Sequence, residues 1–465
     1  MKKYPKQKDS GIAWLREIPE QWRIESFKNI LTERNEKNNP VRTKEILSLS
    51  INKGVTLYAE KTTNLDRFKD DVTKYKLAHK GDLVLNSMNM IVGAVGVSDY
   101  FGCVSPVYYT FYGNNNDTYT TRFYEYLFRT KTVQSVLYSL GRGLIAIDRG
   151  EGKYNTLRLK VSRDDLRSMR LPFPNISEQI AIVSYLDFKT EKINRFIAKK
   201  KQLIQLLTEQ KSAIINKTVT RGINPEVKLK TSAVEWLGDI PQHWEVKPLK
   251  YYVTYNDEAL PNSTNKNLKL NYIDISNVNK DGEIDEIIEY TFQDAPSRAR
   301  RIVKKGDVIL STVRTYLKAI AKIEDDKDVI VSTGFAVLRP KHNIDSEFLN
   351  SAVRANYFIE EVCANSFGVS YPAINASDLV TLKLAVPNSI QEQKKISHFI
   401  KTETTKIDKT ISTIEKEISL VEEYKAALIV EAVTGKIDVR DFKVPVKEES
   451  LAMVAEEAEN YNKAN

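Results

Sequence analysis

The sequence predicts a mixed α/β (α+β) chain. Two globular domains are joined by two long antiparallel coiled-coil helices and related by a pseudo-twofold axis. Three observations predict this. The first is duplication: Trp14-Leu15-Arg16-Glu17-Ile18-Pro19-Glu20-Gln21-Trp22 returns as Trp236-Leu237-Gly238-Asp239-Ile240-Pro241-Gln242-His243-Trp244, a shift of 222. Lys80-Gly81-Asp82 returns as Lys305-Gly306-Asp307, a shift of 225, and Glu178-Gln179 returns as Glu392-Gln393, a shift of 214. The drift in shift marks small insertions and deletions between the echoes. A chain of the form A-B-A′-B′ can fold with a pseudo-twofold and read a two-part ligand.

The second observation is a seam. Ile407, Ile411, Ile414, Ile418, Val421, Lys425 and Leu428 are spaced 4, 3, 4, 3, 4, 3. Subtracting 214 gives Ile193, Ile197, Lys200, Ile204, Leu207, Lys211 and Ile214, the same heptad stripe with lysines in it. Neither segment contains Gly or Pro from Ser177 to Thr220 or from Ser389 to Thr434. Each follows a proline-bearing start and ends near a glycine, Gly222 or Gly435. Each is therefore a helix of roughly 40 residues, about 60 Å long. Such a stripe either packs on its own globular domain or pairs with its repeat; the matched register favours the pair.

The third observation is what lies between. Asp82-Leu83-Val84-Leu85, Val92-Gly93-Ala94-Val95-Gly96-Val97 and Val329-Ile330-Val331-Ser332 are short, apolar and turn-bounded, like strands. The segments from Phe123 to Leu127 and from Phe348 to Ile359 have helical character. The resulting organisation is a globular domain over 1–175, a helical region over 176–221, a second globular domain over 222–388, a second helical region over 389–436 and a tail over 437–465. The Trp/Ile/Pro clusters are packing anchors by composition, and Lys-Gly-Asp is a turn in which Gly takes positive φ.

Bulk properties narrow the function classes. No run approaches 18 uncharged apolar residues, and the start, Met1-Lys2-Lys3-Tyr4-Pro5, has no secretory pattern; neither a membrane span nor a signal peptide is expected. The two cysteines, Cys103 and Cys363, and the four scattered histidines make neither a disulfide framework nor a zinc site, which fits a cytoplasmic chain. Net charge is +9; the tail from Lys447 to Asn465 carries five glutamates against two lysines, so the remainder is +12. That excess fits a polyanionic partner and equally fits a merely basic protein. No Walker-type loop, dinucleotide fingerprint or amine-methyltransferase motif occurs, so no catalytic residue is assigned and no metal site is expected.

The polar loops offer nucleic-acid chemistry instead, since Arg can fork onto guanine and Asn onto adenine. Candidate DNA-binding residues are Asn86, Ser87 and Asn89; Arg142, Arg149, Lys153 and Tyr154; Arg298, Arg300 and Arg301; Arg314 and Tyr316; and Ser370 and Tyr371. Arg142 and Arg314 are candidate base readers because small or glycine neighbours allow close approach, and the Arg298/Arg300/Arg301 burst is a candidate phosphate contact. Each taken singly is also readable as a solvated charge.

The doubled Trp-Leu-x-x-Ile-Pro-x-x-Trp openings, the two Lys-Gly-Asp-strand units and the two Pro-Asn…Glu-Gln helix starts together resemble the specificity subunit of type I restriction–modification systems. The resemblance extends to about Gly435; Arg16 departs from it where the second copy has Gly238. It implies two target recognition domains, each reading half of a bipartite asymmetric DNA site, and paired helices that fix the unread spacer. It implies a non-catalytic adaptor to double-stranded DNA that docks two methylation subunits and two restriction subunits. Those partners, not this chain, would carry S-adenosylmethionine, ATP and Mg. A stand-alone DNA-binding regulator, a fused nuclease or methyltransferase and a coiled-coil structural protein are the competing readings.

Overall fold

The computed structural model describes residues 2–61, 71–113, 117–143, 159–325, 327–368 and 370–444. The chain divides into two compact units. The first comprises Met1–Lys200 with Lys416–Asn465, and the second comprises Lys201–Glu415. Each unit thus holds one globular domain, the first part of one long helix and the last part of the other.

Both predicted long helices form. The first runs over Ile176–Arg221 and the second over Ile390–Val433, unbroken because their interiors lack Gly and Pro. In the first unit Asn194 accepts from Lys425 at 2.7 Å and Lys200 pairs with Glu417 at 2.8 Å, so residue numbers rise on one helix as they fall on the other. In the second unit Lys211 pairs with Asp408 at 2.7 Å. The pairing is antiparallel, and Ile193, Ile197, Ile407, Ile414, Ile418, Val421 and Leu428 are buried along it. Every seam lysine has a polar partner on the opposite helix.

The globular domains repeat one another. In the first unit a four-stranded sheet has the order Thr32–Glu33, Tyr108–Tyr112, Leu83–Asn86, Val95–Val97, every pair antiparallel. In the second unit the order is Val253–Tyr255, Phe335–Pro340, Val308–Ser311, Ile320–Lys322, again antiparallel throughout. The Lys-Gly-Asp unit precedes the third strand of each. Its glycines, Gly81 and Gly306, have φ near +90°, as the turn requires. Its aspartate does more than turn the chain. Asp82 accepts from the backbone of His79 at 2.8 Å and from Arg34 Nε at 2.6 Å; Asp307 accepts from Lys304 N at 2.8 Å and from Arg339 Nε at 3.0 Å. A buried carboxylate with a guanidinium and an amide is fully matched, so it can sit inside the domain.

Only one tryptophan of each opening motif is a core anchor. Trp22 and Trp244 are wholly buried, whereas Trp14 is half-buried and Trp236 is 50% exposed. In the first unit a Cβ on Gly435, at the end of the second long helix, would lie 2.3 Å from Pro19 Cδ and 3.2 Å from Trp22, so only glycine fits there. In the second unit a Cβ on Gly222, ending the first long helix, would lie 3.5 Å from Trp244, an ordinary contact, so there the left-handed φ of +73° rather than crowding favours glycine. Two further expectations change. Within 92–97 the strand starts only at Val95, because Met90–Val92 is a 3-10 turn closed by a left-handed Gly93. The predicted 348–359 helix is two helices, Ser346–Val353 and Asn356–Ala364. No described helix is long and apolar enough to cross a membrane.

Candidate nucleic-acid interface

In both units a polar turn follows the third sheet strand, and a bridged pair of backbone segments docks on it. In the first unit the turn follows Leu83–Asn86. The Asn86 side-chain oxygen accepts from the backbone of Met88 at 3.0 Å and Asn89 at 3.3 Å, folding the turn onto itself. The Ser87 carbonyl accepts from Val161 N at 3.0 Å, and Arg142 and Lys160 exchange two backbone hydrogen bonds at 3.0 and 2.8 Å. In the second unit the Ser311 hydroxyl donates to Val313 O at 2.7 Å. The Thr312 carbonyl accepts from Ile374 N at 2.9 Å, and Phe367 and Ala373 exchange two backbone bonds at 2.8 and 2.9 Å. Ser87 and Thr312, and likewise Arg142 and Phe367, are separated by 225 residues, the shift already set by Lys-Gly-Asp.

This geometry sorts the sequence-predicted residues. Asn86 and Ser87 are buried, and the Asn86 side-chain oxygen is spent on the turn; as placed they are supports of the turn rather than surface groups. Asn89 is exposed at the crest of the turn, at the N-terminal edge of Met90–Val92. Arg142 has a side chain 83% exposed, with Asp165 3.8 Å away. Arg149, Lys153 and Tyr154 lie outside the described residues. In the second unit Arg314 occupies the Asn89 position, at the edge of Thr315–Leu317, with φ +51° and its N–H donated to Pro372 O at 2.8 Å. Its guanidinium carbon lies 4.4 Å from the centre of the Tyr371 ring. Tyr316, Ser370 and Tyr371 are exposed beside it.

The Arg298/Arg300/Arg301 burst is not a loop. Residues Ala299–Ile302 form a strand paired with Val329–Ser332, with a bulge between Ala299 and Arg301. Its arginines are unequal. Arg298 bonds Asp274 and Tyr272, a set of contacts that raises its pKa, the Tyr272 hydroxyl first among them. Arg300 covers Phe292 at 4.5 Å. Arg301 is half-buried, its Nε has no hydrogen-bond partner among the described residues, and burial lowers its pKa. A uniform phosphate clamp is not what the strand presents. The turns are joined, however: Thr312 N donates to Gly334 O at 2.9 Å and Thr333 N to Arg298 O at 2.8 Å, which brings Arg298 into the Arg314 neighbourhood.

Sequence reasoning missed Phe367, which is 78% exposed, and the Asp82–Arg34 and Asp307–Arg339 pairs. The signal for Phe367 was the 225 register carried past the Lys-Gly-Asp unit. Among the described residues no group of three or more His, Cys, Asp or Glu side chains is placed to hold a metal ion.

Residues 241–422 match the family model described as the type I restriction modification DNA specificity domain. The matched stretch is 182 of the chain's 465 residues. The chain is 25% identical over 295 residues to the type I restriction enzyme MjaVIII specificity subunit of Methanocaldococcus jannaschii, covering 60% of this chain and 65% of that one. A second protein of the same organism, provisionally named as the MjaX specificity subunit, is 22% identical over 91% of this chain and 95% of its own length. Among solved structures, a chain from a study of complex assembly and conformational transition of a type I R-M system shares the fold. Its TM-score is 0.64 at 14% identity, over 90% of this chain and 98% of that one. The HsdS subunit of Thermoanaerobacter tengcongensis gives a TM-score of 0.50 at 15% identity, over 90% and 98%. The resemblance to type I specificity subunits read from the sequence therefore holds, and so does the fold class.

Proposed function

We propose that this chain is the DNA-reading specificity subunit of a type I restriction–modification complex. Each globular domain reads one half of a bipartite, asymmetric double-stranded DNA site, and the long helices set the spacer. The chain itself is a non-catalytic adaptor. Methylation subunits carrying S-adenosylmethionine modify adenine within the site, and restriction subunits carrying ATP and Mg cleave. One observation carries the reading: each unit presents a turn on the same sheet, tied by an equivalent backbone bond to an equivalent backbone bridge, but with different exposed side chains, Asn89 and Arg142 against Arg314 and Phe367. A fixed support with changed tips is what reading two different half-sites requires, because backbone-held positions specify only through their side chains.

The test is to combine the purified chain with its methylation subunits, S-adenosylmethionine and genomic DNA and to map the modified adenines. A two-part motif is expected. Replacing residues 25–170 by the equivalent domain of a relative should change one half of that motif and leave the other. Methyl transfer by this chain alone, or simultaneous change of both halves, would overturn the proposal.

A further inference from the structure

The exposed tips obey a positional rule. Asn89 and Arg314 stand 225 residues apart, each at the N-terminal edge of a three-residue 3-10 turn, Met90–Val92 or Thr315–Leu317. Arg142 and Phe367 stand at the same spacing, each as the first member of a backbone bridge, to Lys160 or Ala373. The bridges are tied to the turns by the Val161–Ser87 and Ile374–Thr312 bonds at 3.0 and 2.9 Å. After the bridge the register breaks. Seventeen residues separate Arg142 from Lys160 and five separate Phe367 from Ala373, so the shift drops from 225 to 213 across this loop. The scaffold thus holds two side chains per unit at equivalent points, ahead of the place where the two copies differ in length.

The four side chains have the chemistry of base recognition. The Arg314 guanidinium contacts the π face of Tyr371, and its N–H donors have no hydrogen-bond partner among the described residues. Its left-handed backbone, uncommon for a residue with a Cβ, is held by the bond to Pro372. Phe367 has no ring partner among the described residues and sits where its own backbone is pinned by two hydrogen bonds. An apolar ring fixed in water at that point, beside the exposed Tyr371, is matched by an apolar group on the ligand rather than by a phosphate. On double-stranded DNA that group is the thymine methyl in the major groove.

We infer that positions 89 and 142 in the first unit and 314 and 367 in the second are the base-reading positions, with Arg142 and Arg314 taking guanine, Asn89 taking adenine and Phe367 taking the methyl group of thymine. This rests on the DNA-reading function proposed above. The inference is of base contact rather than phosphate contact: the Phe367 ring cannot bind a phosphate, and the other three are distinguished from phosphate contacts by the sequence dependence of their loss.

The full chain with its methylation subunits and S-adenosylmethionine is given DNA randomised over the two half-sites, and methylated sequences are counted. Three variants are compared with the unaltered chain: Phe367→Ala, Arg314→Asn and Asn89→Ala. Asparagine tolerates the left-handed backbone of position 314, so Arg314→Asn removes the guanidinium without strain. Phe367→Ala should lose discrimination for one thymine, and Arg314→Asn should lose one guanine or turn it to adenine, both in the same half-site. Asn89→Ala should lose one adenine in the other half-site. Each loss should be about five- to hundredfold. In every case the untouched half-site stays defined, which shows that the complex is folded and assembled. An unchanged motif, a change in the wrong half-site, or an equal loss on all sequences would overturn the assignment; the last would make the position a phosphate or subunit contact. If the unaltered chain yields no two-part motif, the DNA-reading function itself fails and the inference falls with it.

Discussion

The sheet that carries the Lys-Gly-Asp unit is the same in both units, and the strands beside it are not. In the second unit the neighbouring strands close into one sheet ordered Ile288–Thr291, Lys269–Ile273, Val329–Ser332, Ala299–Ile302, with a parallel pair at its centre. In the first unit the described strands there form two separate antiparallel pairs, Leu47–Ser50 with Gly54–Leu57 and Lys76–Ala78 with Gly102–Val104. Among the described residues the central parallel pairing survives as the bridge of Ile46 with Cys103. The difference teaches where the fold is constrained. A buried aspartate bound to an arginine and an amide ties strands of the shared sheet together, and losing the arginine would strand a buried charge. The flanking strands of the second unit carry a more exposed version, Asp274 with Arg298 and the Ile275 amide, and among the described residues those of the first unit show no Asp–Arg pair, so their pairing can loosen while the turn stays in place.

The sharpest way to break this comparison is to cut both knots. Asp82→Ala and Asp307→Ala should each destabilise their unit by about 1–3 kcal/mol, because each removes the buried acceptor of a guanidinium and a backbone amide, while Arg34 keeps Glu36 and Arg339 keeps Glu258. Chemical denaturation of the two variants measures this. A cost below about 1 kcal/mol for one and not the other would show that the two sheets are held differently.

The tryptophan motifs allow a finer comparison. Trp22→Ala and Trp244→Ala should each cost about 3–5 kcal/mol, whereas Trp236→Ala should stay within about 0.5 kcal/mol. The buried pair also differ from each other. Trp244 Nε1 donates to Glu392 at 3.0 Å, while Trp22 Nε1 is buried with no hydrogen-bond partner among the described residues. Trp244→Phe should therefore be the costlier of the two Phe substitutions, by about 1–3 kcal/mol. Equal costs in thermal unfolding would remove that asymmetry.

The helices can be tested against the same comparison. One heptad added to each long helix preserves the seam and adds about 10 Å. If the helices set the spacer, the mapped motif should gain about three unread base pairs at 3.4 Å each, with both half-sites unchanged. An unaltered spacer would show that the helices are not the ruler.

The smallest effect lies in the seam. Lys211 with Asp408 and Lys425 with Asn194 are counterparts at a shift of 214, so one copy has a carboxylate where the other has an amide. Burial lowers the pKa of Lys425. Asp408→Asn should cost about 0.2–1 kcal/mol and Asn194→Asp should gain a similar amount, both shrinking with added salt because the pairs are partly exposed. Salt-independent changes would mean that packing, not charge, separates the two copies.

What was legible in advance was whatever depends on local pattern. The 4, 3 spacing of Ile407 to Leu428 and the absence of Gly and Pro sufficed for the helices and their seam, because a helix face is set by neighbours three and four residues away. Gly81 and Gly306 were readable as turns for the same reason, and the doubled motifs carried the two-domain plan. Contacts across more than a hundred residues were not legible. Nothing local says that Asn86 is buried and folds its own turn while Asn89 three residues on is exposed, or that Trp22 meets Gly435 while Trp14 reaches the surface. Nor does it say that Lys200 faces Glu417, or that Ala299–Ile302 is paired and its arginines largely engaged. The sequence by itself determined the elements, the repeat and the residue chemistry. Tertiary structure alone decided which polar groups are used up inside, because burial and pairing depend on segments far apart in the chain that only the folded backbone brings together.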